Sequence, residues 1–197
     1  MSSTRFFITP PLTRDEPRDI LPGVMAIMTR APDYDINLAL IIVQLYQPMG
    51  LFGEFTASTK IEMLRYALRL LPEARLTPYE YGPGWWKTIH LLADLADRDH
   101  VWVPWFYKFI AFTRENMPCS ECRKHFFDMT VTLPKSGFLR WSILAHENAN
   151  KMRPPLEYGT PVKLTEVDIF NLSEKYRGIN SRFRILDLGL LEGLELR

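Results

Sequence analysis

The two cysteines of the chain are the residues best placed to carry out chemistry. Cys119 and Cys122 lie three positions apart in the stretch MPCSECRKHF, residues 117–126, at the predicted start of a helix after Pro118. This spacing puts both sulfur atoms on one side of the first helical turn, within reach of a disulfide bond. The unpaired N–H groups and the positive end of the helix dipole stabilise a thiolate there. The pattern favours a redox pair that opens and closes.

The pair alone leaves other interpretations open. A thioredoxin-like site needs a strand before the cysteines, and here a long aromatic segment with helical character precedes them. A zinc site could combine Cys119 and Cys122 with His125 and His146, although these histidines lie on separate apolar helices. Two reduced thiols packed in a core are the third interpretation.

Two further sets of aromatic and polar side chains flank the cysteines. Trp86 and His90 are four positions apart on one predicted helix, and His146 and Asn150 are four apart on another, so each pair shares a helix face. Aromatic walls, imidazoles, an amide and a lysine suit a planar cofactor that carries phosphate. The candidates of this kind are Trp86, His90, Trp141, His146, Asn150 and Lys151.

The elements that must position these residues are predicted to be helices, and the fold class is an all-α helical bundle. Apolar residues recur at three and four positions, and prolines mark the helix ends. Residues 1–35, rich in proline, are predicted to be irregular, and the stretch LTPYEYGPGWW is predicted to be a connector. The predicted helices are 35–47, 58–71, 84–98, 102–116, 119–129, 138–152 and 164–176.

Composition limits the classes of function. The chain has 24 Lys and Arg against 23 Asp and Glu, a net charge of +1, so no basic footprint for nucleic acid or an anionic membrane is present. Two cysteines cannot build a disulfide scaffold. No secretory signal is visible, and the most apolar run, 36–46, is far shorter than a membrane span. We therefore expect a soluble protein, with a cytoplasmic location favoured.

Three motifs in this order resemble the Erv/ALR family of FAD-dependent sulfhydryl oxidases. YGPGWWKTIH at 81–90 is similar to the family pattern W-G-x-x-x-W-x-x-x-H, and PCSECRKHF at 118–126 matches P-C-x-x-C-x-x-H-F. Trp141 followed by HENANK at 146–151 is similar to the tryptophan and H-N-x-x-N element of the family, which a basic residue follows. The resemblance covers about residues 79–155. With one C-x-x-C, the chain resembles versions encoded by large DNA viruses, which adds a virion to the expected locations.

The resemblance implies a fold and a set of site residues. It implies a four-helix FAD-binding core with a short fifth helix at 77–155, an extra helical N-terminal segment at 1–76 and a helical tail at 156–197 packed on the bundle. Cys119 and Cys122 would be the catalytic pair, with Cys122 beside the flavin, and no metal is implied. The residues assigned to FAD are Tyr81, Gly82, Trp86, His90, His125, Trp141, His146, Asn150 and Lys151.

The implied reaction oxidises thiols. A thiol-bearing protein, expected to be thioredoxin-like or to carry its own C-x-x-C, would reduce the Cys119–Cys122 pair. Electrons would pass to FAD and then to molecular oxygen, which would yield hydrogen peroxide. The resemblance also implies a homodimer.

Departures from the family pattern suggest an alternative. Tyr81 replaces a tryptophan, and Glu147 replaces the asparagine after the histidine, which affects one expected polar contact to the flavin. The second, shuttle cysteine pair is missing, so a partner must deliver electrons directly to Cys119 and Cys122. The alternatives are a helical interaction protein that has lost flavin and a zinc-stabilised helical domain.

Overall fold

The computed structural model describes residues 17–46, 77–152 and 163–180, and these are helical with no strand among them. The predicted all-α bundle is confirmed. The predicted helix at 58–71 lies outside the described residues. In chain order the α-helices are α1 (Pro17–Met28), α2 (Ala31–Tyr34), α3 (Ile36–Tyr46), α4 (Pro78–Arg98), α5 (Val103–Asn116), α6 (Ser120–Met129), α7 (Phe138–Lys151) and α8 (Glu166–Asn180), with a 3₁₀ turn at His100–Trp102.

Helix α4 begins six residues earlier than predicted, so the stretch expected to be a connector is helical. Its start is fixed at Thr77, whose backbone N–H donates to the Glu80 carboxylate at 2.6 Å, while Pro78 occupies the first helical position. Pro83 lies inside the helix, where it removes one backbone hydrogen bond. Because of this early start, Tyr81 and Gly82 lie on the same helix as Trp86 and His90.

The prediction of an irregular leader over 1–35 is wrong from residue 17 onwards, because α1 and α2 form there. Pro17 occupies the first position of α1, where the absent N–H has no cost. Pro22 lies within α1, so proline alone did not decide the conformation. Burial decided it: Ile20, Val24 and Ile27 are fully buried on one side of α1, which packs against α4.

The backbones of α1 and α4 touch at a pair of glycines. A Cβ atom on Gly23 would lie 2.2 Å from the Tyr81 carbonyl oxygen, and one on Gly84 would lie 2.2 Å from the Ile20 carbonyl oxygen. Both distances are far below van der Waals contact, so each position requires glycine. Gly84, next to Pro83, is therefore explained by this close contact, and the helix continues through it.

Helix α4 is held on its other sides by α5, α7 and α8. Trp85 stacks on Phe112 of α5 with ring centroids 5.9 Å apart and donates its indole N–H to Thr113 Oγ1 at 2.9 Å. The Asp97 carboxylate caps α7 by accepting the backbone N–H groups of Phe138 and Leu139 at 2.8 and 2.9 Å. These contacts set the rotation of α5 and α7 relative to α4.

Helix α8 lies across α4 and α7 and is held by charged contacts at both ends. Arg140 of α7 forms two hydrogen bonds with the Glu166 carboxylate, at 2.7 and 2.8 Å. At the other end, Arg98 of α4 donates to the carbonyl oxygen of Arg177 at 2.7 Å. Within the part of the chain that the structure describes, no helix is long and apolar enough to cross a membrane.

Gly84→Ala is expected to destabilise the protein, because the added methyl group would overlap the backbone of α1. The expected loss is about 1–3 kcal/mol or more of the free energy of unfolding, measured by urea denaturation. Gly178→Ala in α8 is the matched control, since a Cβ there meets no atom within 4 Å. The control is expected to be neutral or to gain up to about 1 kcal/mol from helix propensity. Equal stability of the two variants would contradict the close contact.

Candidate active site

The cysteine pair forms a disulfide at the start of α6. Cys119 is the N-cap, Cys122 lies in the first turn, and their Cα atoms are 5.1 Å apart. The backbone N–H of Cys122 donates to Cys119 Sγ at 3.1 Å, so the helix N-terminus faces that sulfur. Arg123 donates to the carbonyl oxygen of Met117 at 2.7 Å and fixes the loop before the pair. Both cysteines are half-buried, as an exchangeable disulfide requires.

A cavity of about 440 Å³ lies beside Cys122. Of the predicted site residues, Tyr81, Gly82, Trp86, Cys122 and His125 line it, whereas Cys119 does not. The remaining lining residues are Pro78, Tyr79, Trp85, Met117, Glu121, Phe126, Met129, Ala149 and Met152. The walls are mostly aromatic rings and methionine side chains, which suit a flat aromatic ligand.

Trp86 joins this cavity to a buried cluster of imidazoles. Its ring lies against His146 of α7, with centroids 4.4 Å apart and planes 6° from parallel. His146 Nδ1 lies 3.1 Å from His90 Nε2, and His90 Nδ1 lies 2.9 Å from Ser142 Oγ. The ring of Tyr176 from α8 covers His90 at a centroid distance of 4.7 Å. The predicted residues Trp86, His90 and His146 are therefore brought together.

The hydrogen bonds assign the histidine tautomers. Ser142 donates its hydroxyl proton to the Leu139 carbonyl oxygen at 2.8 Å, so its oxygen accepts from His90 Nδ1. His90 Nε2 must then accept from His146 Nδ1, which leaves His146 Nε2 as a hydrogen-bond acceptor. Burial, together with the positive charge of Lys87, lowers the pKa of His90 from 6.5 to about 3. His90 is therefore neutral at physiological pH.

Asn150 and Lys151 end α7 beside this cluster. Asn150 is 1% exposed, and neither polar atom of its amide has a hydrogen-bond partner among the described residues. A buried amide without partners marks a place for a polar ligand. Lys151 is partly exposed, and its Nζ lies 3.2 Å from Glu147 Oε1. Glu147, the departure noted in the sequence, also accepts the backbone N–H of Leu164 at 3.2 Å.

The structure does not bring every predicted residue to the cavity. Trp141 is half-buried on α7 and meets Phe106 of α5 edge-on at 5.8 Å, away from the cavity lining. The zinc alternative is also not assembled: within the described ranges no three His, Cys, Asp or Glu side chains gather as metal ligands. Cys119 and Cys122 are joined to each other, and His146 Nδ1 is engaged by His90.

Several lining residues were missed by the sequence analysis. Phe126 and Met129 follow Cys122 at four and seven positions and share its face of α6, so helical periodicity counted from the cysteine could have identified them. Tyr79 was missed because its stretch was predicted to be a connector. Tyr176 lies on α8, outside the three motifs, and no signal in the sequence connects it with His90.

His90 is expected to make the protein sensitive to acid. The folded state keeps its imidazole neutral down to about pH 3, while the unfolded state protonates it near pH 6.5. This contribution to stability is complete above pH 6.5 and is lost as the pH falls towards 3. Between pH 7 and pH 5 the loss is about 2 kcal/mol, at about 1.4 kcal/mol per pH unit below 6.5.

Urea denaturation at both pH values measures this loss. The His90→Gln variant should lose about 2 kcal/mol less than the parent between pH 7 and pH 5. His100→Gln is the matched control, since it removes a histidine from the surface, and it should follow the parent. An unchanged pH dependence in the His90 variant would show that the histidine is not held neutral.

Comparison with known proteins identifies relatives among viral enzymes. Over 82 residues the chain is 30% identical to an FAD-linked sulfhydryl oxidase of African swine fever virus, from a tick isolate of Malawi; the match covers 36% of this chain and 66% of the relative. The oxidases of a Kenyan pig isolate and a Namibian warthog isolate are 29% and 28% identical, over 36% of this chain and 66% and 65% of their own lengths.

The chain thus spans slightly less than two thirds of the length of these viral relatives. No family model and no solved structure matches it. The three motifs occur in the order typical of the family, and the named relatives are thiol oxidases. Over the matched residues the chain resembles the FAD-linked sulfhydryl oxidases of these viruses, in agreement with the resemblance of its three motifs to the Erv/ALR family.

Proposed function

We propose that the protein is an FAD-linked sulfhydryl oxidase that forms disulfides in a partner protein through Cys119 and Cys122. Electrons would pass to FAD and then to molecular oxygen, with hydrogen peroxide as the product. The observation that carries the proposal is the asymmetry of the pair: Cys122 lies on the cavity wall, whereas Cys119 lies outside the lining, at the start of the helix. One sulfur thus faces a ligand site and the other faces incoming thiols.

The residues around the cavity fit a flavin. Because Trp86 and His146 stack at 4.4 Å, no ring can enter between them, and a flavin would meet Trp86 where this residue lines the cavity. The amide of Asn150, without partners among the described residues, can serve the polar edge or ribose of the cofactor. Lys151 is the cation assigned to its phosphates. Bound beside Cys122, FAD supplies the two-electron acceptor that restores the disulfide and passes the electrons to oxygen.

The roles of the two sulfurs follow from their positions. A partner thiolate attacks Cys119 Sγ; the bond between the two cysteines breaks, and Cys122 leaves as a thiolate facing the cavity. The second partner thiol, once deprotonated, attacks the mixed disulfide, so the partner leaves oxidised and Cys119 is released as a thiolate. The backbone N–H of Cys122, 3.1 Å from Cys119 Sγ, stabilises the negative charge on that leaving sulfur.

The finer features of the proposal concern partners and assembly. A dithiol protein, thioredoxin-like or with its own C-x-x-C, is the proposed electron donor, because this chain has no further cysteine to relay electrons. The homodimer and the cytoplasmic or virion location stay predictions. So do all the flavin contacts assigned from the sequence, including those of His125 and Trp141.

The cysteines are tested by substitution in the FAD-loaded protein. Cys119→Ser and Cys122→Ser should both reduce dithiothreitol-dependent oxygen consumption to the rate of free FAD, because each removes one sulfur of the exchanging bond. Ser120→Ala, on the same exposed turn, is the matched control and should keep the parent rate within about twofold, as surface substitutions usually do. Full oxygen-coupled activity in Cys122→Ser would disprove the proposed route.

A further inference from the structure

Glu147 is a buried carboxylate that the reaction does not use. It lies on α7 one residue after His146, is 5% exposed, and stands where the family has asparagine. A buried carboxylate must find partners, because the loss of hydration is costly. Its Oε1 has two: the backbone N–H of Leu164 and the Nζ of Lys151, each at 3.2 Å.

The first contact ties the start of α8 to the bundle. Leu164 lies two residues before α8, and the hydrogen bond joins it to a residue 17 positions earlier on α7. The ion pair between Arg140 and Glu166 at this end is exposed to solvent and is therefore worth little. The Glu147 carboxylate is 5% exposed, so its bond to Leu164 should contribute more to the placement of the helix that carries Tyr176 onto the histidine cluster.

The second contact pairs Glu147 with Lys151, the cation assigned to the phosphates of the cofactor. Lys151 is the basic residue that follows the third motif, and Glu147 provides its counter-charge at 3.2 Å. A phosphate group that approaches Lys151 must share its charge with this fixed carboxylate. The carboxylate also repels the phosphate directly, because the two groups carry charge of the same sign.

We propose that Glu147 is a positioning residue with two opposed effects: it fastens the start of α8 to α7, and it weakens FAD binding by holding Lys151. The inference rests on the proposed function for its second effect, since Lys151 is there assigned to the phosphates of FAD. The first effect concerns the fold alone and does not depend on the cofactor.

Two substitutions separate the effects. Glu147→Gln keeps a side-chain oxygen of equal reach for the N–H of Leu164 but removes the charge, so the dissociation constant for FAD should fall roughly three- to tenfold. Glu147→Ala removes both. Glu115→Gln, which removes an exposed acidic charge on α5, is the matched control and should leave the dissociation constant unchanged. FAD binding is measured by quenching of flavin fluorescence on addition of the full chain.

The placement of α8 is measured separately by amide hydrogen exchange on the FAD-free full chain. Residues 164–176 should exchange at least about fivefold faster in Glu147→Ala than in Glu147→Gln, because only the alanine variant lacks the acceptor. Equal exchange in the two variants would overturn the fastening role.

The binding results are equally decisive. A dissociation constant for Glu147→Gln equal to that of the parent would overturn the effect on FAD. If the parent and all variants bind no FAD, the proposed function fails together with that effect, and the exchange comparison still decides the fastening role. The two failures are thus distinguishable.

Discussion

The stacking of Trp86 on His146 is the interaction on which the rest of the site depends. It joins α4 to α7, and the same indole also lines the cavity beside Cys122. The indole is 5% exposed and also packs against Phe126 of α6, with ring centroids 5.9 Å apart. The ligand site and the imidazole cluster therefore share one aromatic ring as their common wall.

That stacking requires helices placed to within a fraction of an ångström, and the packing of α4 provides this precision. The glycine contact with α1 brings two backbones together, Trp85 anchors α5 through stacking and a hydrogen bond, and Asp97 sets the start of α7. Because α4 is fixed on several sides, its aromatic and imidazole side chains are held by neighbours rather than by solvent. The cysteines lie on a short helix at the edge of this frame, where partner thiols can reach them.

Much of this arrangement could be predicted from the sequence, and the failures have physical causes. The helices from α5 to α7 follow from apolar periodicity and from the proline before Cys119. The start of α4 was missed because Pro83 and two glycines are local helix breakers, and tertiary burial against α1 overrides that tendency. Trp141 was grouped with the site because it belongs to a motif; it packs edge-on against Phe106, and its contact with the flavin stays a prediction. The contact of Glu147 with Leu164 and that of Tyr176 with His90 could not be found, since both depend on where α8 returns to the bundle.

The most direct test of the central claim is an anaerobic titration of the FAD-loaded protein with dithiothreitol, followed by visible absorbance. The account predicts that the absorbance of oxidised flavin disappears as dithiol is added and returns when air is admitted, and that Cys122→Ser shows no such bleaching. A protein that holds FAD but keeps its absorbance through the titration would contradict electron transfer from the cysteine pair to the cavity. It would leave the disulfide as a structural cross-link.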